Sequence, residues 1–299
     1  MNRRQFISRS AAVLAAGSIA NQNLFAGMAA APNKGRIGIQ LYSIRNDLPK
    51  DFEGSLKKLS EIGFSQVEPY GFNGNKFLNR ITMKDLSDMV KDMGMSISGT
   101  HAGSGMLPED INAPEWDIWK KISTELKSGG GTWAIQPSLP GGINVKKLDD
   151  LKRLCAHFNR VGEVCSKNGV KFAFHNHYEV FGTLENGVVV LDYMINNTDP
   201  KLVFFQLDLG HTVNGGGDCV HYISKYSARI PIWHASDFNL AYREYRGLGK
   251  GHVPYETLFN LPNAGGLQQL SVEQENLGDI FGMCREDFNY LKQFKWTEV

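Results

Sequence analysis

From residue 36 onward the chain alternates two hydrophobic rhythms. Short apolar runs of strand type occupy 36–42, 66–70, 95–101, 132–136, 171–181, 202–211, 230–237 and 267–275. Between them, apolar residues recur every three or four positions, as in Leu56, Leu59 and Ile62, or Met83, Leu86, Val90 and Met93, which predicts amphipathic helices. Helices are expected over 51–62, 82–93, 114–127, 145–168, 184–196, 219–226, 254–261 and near the C-terminus toward 294. Gly63, Gly94 and Gly169 stop three of them, Thr82 caps one, and Pro114 opens another. Eight strand–helix units in regular alternation predict parallel strands with helical crossovers, and this length fits a (β/α)8 TIM barrel. A doubly wound open sheet is the alternative, but it would place a glycine-rich nucleotide loop after the first strand, where Tyr42-Ser-Ile-Arg45 stands instead.

The later strands share a feature that packing does not explain. The run at 171–181 ends its apolar half in His175, Asn176 and His177. The next runs into Asp208 and His211, the next into His234 and Asp237, and the last into Glu273 and Glu275. Barrel active sites lie at the C-terminal strand ends, so these groups would converge on one mouth, joined by Glu68 and His101 from the second and third strands. Singly, a strand-end histidine is more often a hydrogen-bonding residue, and an aspartate before Leu-Gly a turn former. On four consecutive strands, His175, Asp208, His234 and Glu273 form a mixed nitrogen–oxygen set suited to one divalent ion of the Mn, Zn, Co or Fe type. Gly215 to Gly217 reads as a strand-to-helix turn, since no Lys-Ser/Thr follows to make a phosphate loop. Trp133, Trp233 and Tyr70 are candidates for lining a sugar pocket, with barrel packing as the other explanation.

Composition narrows the field. The chain has 299 residues, a formal net charge of +1, 42% hydrophobic and 21% charged residues, values of an ordinary globular protein. Near-neutrality argues against a polyanion binder, and no nucleic-acid partner is expected. Residues 1–31 differ: Arg3-Arg4 precedes an apolar stretch at 11–20 and an alanine-rich exit, the pattern of a twin-arginine export signal, with cleavage expected between Ala26 and Ala31. The expected organisation is a signal at 1–31 and a single barrel domain at 32–299, exported to the periplasm with no stable membrane anchor. Cys155, Cys165, Cys219 and Cys284 contain no CxxC and are expected to be buried free thiols.

The motifs at 175–181 (His-Asn-His-Tyr-Glu-Val-Phe), 208–211 (Asp-Leu-Gly-His), 234–237 (His-Ala-Ser-Asp) and 271–275 (Ser-Val-Glu-Gln-Glu) resemble the sugar isomerase/epimerase-like branch of the xylose-isomerase-type TIM barrels, which includes endonuclease IV relatives. The resemblance spans 36–295. It implies Asp208, His234 and Glu273 as ligands of one metal ion, with the fourth falling on His175, where the family's ketose epimerases carry a glutamate that also moves protons. It implies a small sugar as substrate, His211 at the substrate oxygens, and allows a homodimer, as related barrels form. Glu68 and His101 are expected at the substrate too, with support of the ligands as their alternative role. Proton abstraction beside a carbonyl is the expected chemistry, with Glu273 as base and His177 or His175 as partner. Isomerisation or epimerisation of a non-phosphorylated sugar or keto-sugar is the first reading. Elimination by a lyase or dehydratase acting on keto-sugars or keto-glycosides is the second, kept open by His175. Hydrolysis of DNA and a non-catalytic sugar-binding barrel are weaker: the charge is balanced and Asp208, His234 and Glu273 are intact.

Overall fold

A computed structural model describes residues 36–103, 105, 107, 115–275, 278–294 and 296, so the expected export signal lies outside the described residues. The strands are β1 (Ile37–Gln40), β2 (Gln66–Glu68), β3 (Ser96–Ile97), β4 (Gly99–His101), β5 (Trp133–Gln136), β6 (Lys171–His175), β7 (Val203–Asp208), β8 (Ile232–Ala235), β9 (Asp237–Asn239), β10 (Glu244–Arg246) and β11 (Gln269–Val272). All but β9 and β10 form one parallel sheet in the order β3-β2-β1-β11-β8-β7-β6-β5-β4. β3 and β4 are halves of a single barrel strand, parted only at Ser98. The first half pairs with β2 and the second with β5, so the two ends of the sheet meet in the same strand. The ring therefore has eight strand positions and is the expected (β/α)8 barrel.

Helices α1 (Phe52–Ile62), α2 (Met83–Asp92), α3 (Glu115–Ser128), α4 (Leu148–Lys167), α5 (Val190–Asn196), α6 (Leu209–Asn214), α7 (Cys219–Lys225), α8 (Tyr255–Phe259) and α9 (Ile280–Lys292) follow the strands. Local chemistry sets their ends. The Asp51 carboxylate accepts the Gly54 N–H at 3.0 Å to open α1, and Gly63, at φ +119°, closes it. At Gly63 an added Cβ would lie 2.6 Å from the Phe288 ring, so only glycine lets α1 end against α9.

Three expectations change. The helix expected from 184 begins at Val190, because 184–188 forms a turn with Gly187 at φ +81°. Helix α6 was not anticipated; Asp208 caps it directly from the end of β7. Between the strand expected to end at 237 and the helix expected from 254, where no element is expected, β9 and β10 form an antiparallel hairpin. Asp237 organises that segment: Oδ1 accepts from Phe238 and Val253, Oδ2 from Gly249 and Gly251. The four cysteines are buried and free, as expected.

Strand alternation divides the side chains sharply. Val67, Ala134, Phe172, Phe174, Phe205, Leu207, Trp233 and Leu270 face outward into the core shared with the helices. A separate small cluster, Trp133, Ile135, Ala173 and Ile232, plugs the barrel interior. Trp133 and Trp233, 2% and 0% exposed, thus serve packing, and the sugar-lining role considered for them falls away; Tyr70 is half-buried against Tyr42 and Phe77. Among the described residues no helix is long and apolar enough to cross a membrane.

His157 on α4 shows what this outer core costs. Its ring packs at a tilt against Trp116 and Phe158, is 5% exposed, and neither nitrogen has a partner. Burial pushes its pKa down to about 4. The folded protein therefore keeps the ring neutral while the unfolded chain takes up a proton below about 6.5. Stability is complete above that value and falls as pH drops toward 4, by up to about 3 kcal/mol. Urea unfolding between pH 7 and 4 should show this loss in the wild type, and His157→Phe should show correspondingly less.

Candidate active site

Above the apolar plug, the barrel interior is polar. Gln40, Gln66, Glu68, His101, His175, Gln206, Asp208, His234, Gln269, Ser271 and Glu273 all point inward by strand parity and all are buried. The register fixes their neighbours: Gln40 lies beside Glu68, His175 beside Gln206, and Asp208 beside His234.

At the centre is Glu68, with 0% exposure. Oε1 accepts from Gln40 Nε2 at 3.0 Å, His234 Nε2 at 2.8 Å and His101 Nε2 at 3.1 Å. Oε2 accepts from Gln206 Nε2 at 3.1 Å and Gln269 Nε2 at 3.2 Å. Burial alone would raise this carboxyl, but the His234 charge and the bonds from both histidines hold it well below the usual range. A buried anion thus lies beneath the mouth, fully supplied with donors.

That anion sets the protonation of its surroundings. A carboxylate only accepts, so the Gln206 amide nitrogen faces Glu68 and its oxygen faces away. The oxygen then accepts from His101 Nε2 at 2.9 Å and His175 Nδ1 at 3.1 Å. His175 consequently carries its proton on Nδ1 and keeps a lone pair on Nε2. Burial, with His234, His101, His177 and His211 nearby, drives its pKa well below the ordinary value, so the ring is neutral. His234 bridges two carboxylates, Glu68 through Nε2 and Glu273 Oε2 through Nδ1 at 2.6 Å. Although burial opposes both shifts, the two carboxylates raise His234 to about 10, and the His234 charge with its hydrogen bond lowers Glu273 to about 2.

Asp208 divides its oxygens. Oδ1 accepts the His211 N–H at 2.6 Å, capping α6, and the Ser236 hydroxyl at 2.6 Å. Its backbone is clamped by Asn176, which donates to the carbonyl at 3.3 Å and accepts the N–H at 2.9 Å. An added Cβ at Gly210 would stand 2.5 Å from Ser236 Oγ, so glycine there lets Ser236 reach the carboxylate. Oδ2 has no partner. Burial, then the Glu273 charge, raises Asp208 to about 6.

His175, Asp208, His234 and Glu273, expected from the sequence as one ligand set, lie together with one donor atom from each within 4.8 Å of the others. Two of those residues carry the buried, unpartnered atoms His175 Nε2 and Asp208 Oδ2. Such orphans are costly unless a ligand completes them, and this donor set fits a divalent ion.

The remaining expected residues surround this cluster. His101 stacks on His234 with centroids 5.1 Å apart and meets His175 edge-on at 4.9 Å. His177, a third exposed at its side chain, lies 5.1 Å from His175 and 4.5 Å from His211, ring to ring. The His211 Nδ1 bonds the Tyr245 hydroxyl, which the Asn214 amide also contacts at 3.5 Å. With Asn214 donating to the phenol and the phenol donating onward, His211 carries its proton on Nε2. Glu275 sits by Arg45 at 3.9 Å and is raised to about 7 by burial and by the charges of Glu273 and Asp208. Gln40, Gln206, Gln269 and Tyr245 escaped the sequence reading. An amide at an inward position of an otherwise apolar strand is the signal that could have found the three glutamines.

Fold and site together define a (β/α)8 barrel with a candidate metal centre at its mouth, and the comparisons give its family. The family described as Xylose isomerase-like TIM barrel matches residues 56–294, and this chain belongs to it. A solved structure named a sugar phosphate isomerase/epimerase, from Parabacteroides distasonis, is 27% identical and superposes with a TM-score of 0.78, covering 90% of this chain and 98% of its own. A structure of an L-ribulose 3-epimerase shares the fold at 17% identity and TM-score 0.67, over 88% of this chain and 95% of its own. An inosose dehydratase of Salmonella agona is 34% identical over 110 residues, so the match spans only 36% of this chain and 36% of that relative's length.

Glu68→Gln tests the buried anion. It should weaken divalent-ion binding about 10–100-fold, as loss of a group behind a ligand typically does, measured by calorimetric titration of the metal-stripped protein with Mn²⁺ or Co²⁺. Wild-type affinity in a folded variant would remove Glu68 from that role.

Proposed function

We propose that this protein is a metal-dependent enzyme that removes the proton beside the carbonyl of a non-phosphorylated sugar or keto-sugar and returns it as an isomerase or epimerase. The observation that carries this reading is the convergence of His175 Nε2 and Asp208 Oδ2, both buried and unpartnered, with His234 and Glu273 at the ends of four adjacent strands. When bound there, a divalent ion would polarise a carbonyl and acidify the neighbouring C–H. His175 offers it a neutral nitrogen, and His234 would release its Nδ1 proton while Glu68 continues to hold Nε2. Glu273 takes the proton from carbon, with His177 as the exchanging partner. His211, its tautomer set by Tyr245, presents Nε2–H to a substrate oxygen. The choice of a non-phosphorylated substrate follows from the export signal read at 1–31, which would place the enzyme in the periplasm, away from cytoplasmic sugar phosphates.

Elimination is the second reading, favoured by a specific feature of this site. Beside the carboxylates of the ligand set, the groups near His175 are two imidazoles, His177 and His211. An imidazole N–H can protonate a departing β-oxygen while the C–H electron pair forms the new double bond. The partial match to relatives named inosose dehydratase supports the same outcome.

Proton NMR in D₂O separates the outcomes. Metal-loaded protein should exchange the α-proton of a keto-sugar for deuterium. A stereoisomeric product marks an epimerase, an enone with loss of the β-substituent a lyase, and no exchange with any keto-sugar rejects both. Glu273→Gln should slow exchange about 10²–10⁴-fold. Stripping the metal with a chelator should abolish exchange, and adding Mn²⁺, Zn²⁺, Co²⁺ or Fe²⁺ back should restore it.

A further inference from the structure

Next to the cluster, described residues of the segments after β2, β4 and β5 line an open pocket of about 250 Å³. Phe72, Asn73, His101, Gln136, Ser138 and Leu139 line it with glycine and proline backbone. At roughly 30 Å³ per water it has room for about eight waters, enough for one small ring. The pocket shares a wall with the cluster, because His101 lines the one and packs on His234 and His175 of the other.

Its polar groups ask for hydroxyl donors. Gln136 is 3% exposed and donates Nε2 to the Ser138 carbonyl at 3.1 Å, yet its buried Oε1 has no partner. His101 turns Nε2 toward Gln206 and Glu68, both acceptors, so Nε2 carries a proton. An unpartnered acceptor, with neither lysine nor arginine among the described lining residues, suits a neutral polyhydroxylated ring and not an anionic one.

We propose that this pocket is a subsite for a second, hydroxyl-bearing ring of the substrate, so that the molecule processed is a glycoside and not a free monosaccharide. The proposal rests on the sugar reading above and extends it past His101: one ring would lie at the four-residue cluster, the next in this pocket with a hydroxyl donating to Gln136 Oε1.

Gly103 supplies the sharpest test. It lies on the pocket wall in ordinary backbone geometry, and an added Cβ would meet nothing nearer than the Gln136 side chain at 3.9 Å. Gly103→Trp should therefore fold and fill the pocket. Calorimetry on the manganese-loaded protein would compare glucose and methyl glucoside with cellobiose, maltose, lactose and sucrose. At least one disaccharide should bind ten or more times tighter than glucose. Gly103→Trp should erase that ratio, and Gln136→Leu should cut it several-fold. A ratio near one for every disaccharide, or a ratio untouched by Gly103→Trp, overturns the subsite. Binding of no saccharide at all overturns it too, and the deuterium-exchange result then decides independently whether the chemistry proposed above also fails.

Discussion

Everything at the mouth of this barrel is arranged over one buried negative charge. An isolated carboxylate cannot be carried into a protein interior, so Glu68 requires donors from every side. Five strands supply them: Gln40, His101, Gln206, His234 and Gln269 come from β1, β4, β7, β8 and β11. The bonds from Gln206, His234 and Gln269 link β2 to strands that are not its neighbours in the sheet, in addition to the backbone ladder that joins those that are. They also decide which way each ring and amide faces. Reversing the Gln206 amide would set its nitrogen against two imidazole N–H groups and its oxygen against a carboxylate, so the network has one low-energy arrangement.

The cost of that arrangement is a barrel that cannot be filled with hydrocarbon. The apolar plug is reduced to Trp133, Ile135, Ala173 and Ile232, while the larger apolar contacts sit between sheet and helices. Residues such as Phe172, Phe174, Phe205 and Leu207 therefore stabilise the ring from outside. The division suits a catalyst: the packing that holds the strands is kept apart from the groups at their ends, so chemistry can be concentrated inside without loosening the wall.

The sequence was readable where local chemistry alone decides the outcome. Asp51, Gly63 and Thr82 punctuate helices by side-chain caps and left-handed backbone, and apolar runs ending in His175, Asp208, His234 and Glu273 mark strand ends whose convergence follows once the ring closes. What could not be read depends on distant partners. Gln206 looks like a stray amide in Val-Phe-Phe-Gln-Leu until Glu68, 138 residues earlier, is placed beside it. Tyr245 lies 34 residues beyond His211, on a hairpin whose polar sequence resembles loop because Asp237 replaces hydrophobic packing with four backbone bonds. The late start of α5 depends on Gly187, which turns a continuous apolar spacing into two separate segments.

Asp208 couples two events that are usually separate. One oxygen caps the start of α6 while the other has no partner, so a ligand there would compete with the cap for the same electron density. Drawing charge toward a bound cation weakens the cap, and the first residue to feel it is His211, whose N–H forms that cap. Occupancy by an ion would thereby be geared to the poise of the neighbouring imidazole through a single side chain, so that filling the site would also tune the group beside it.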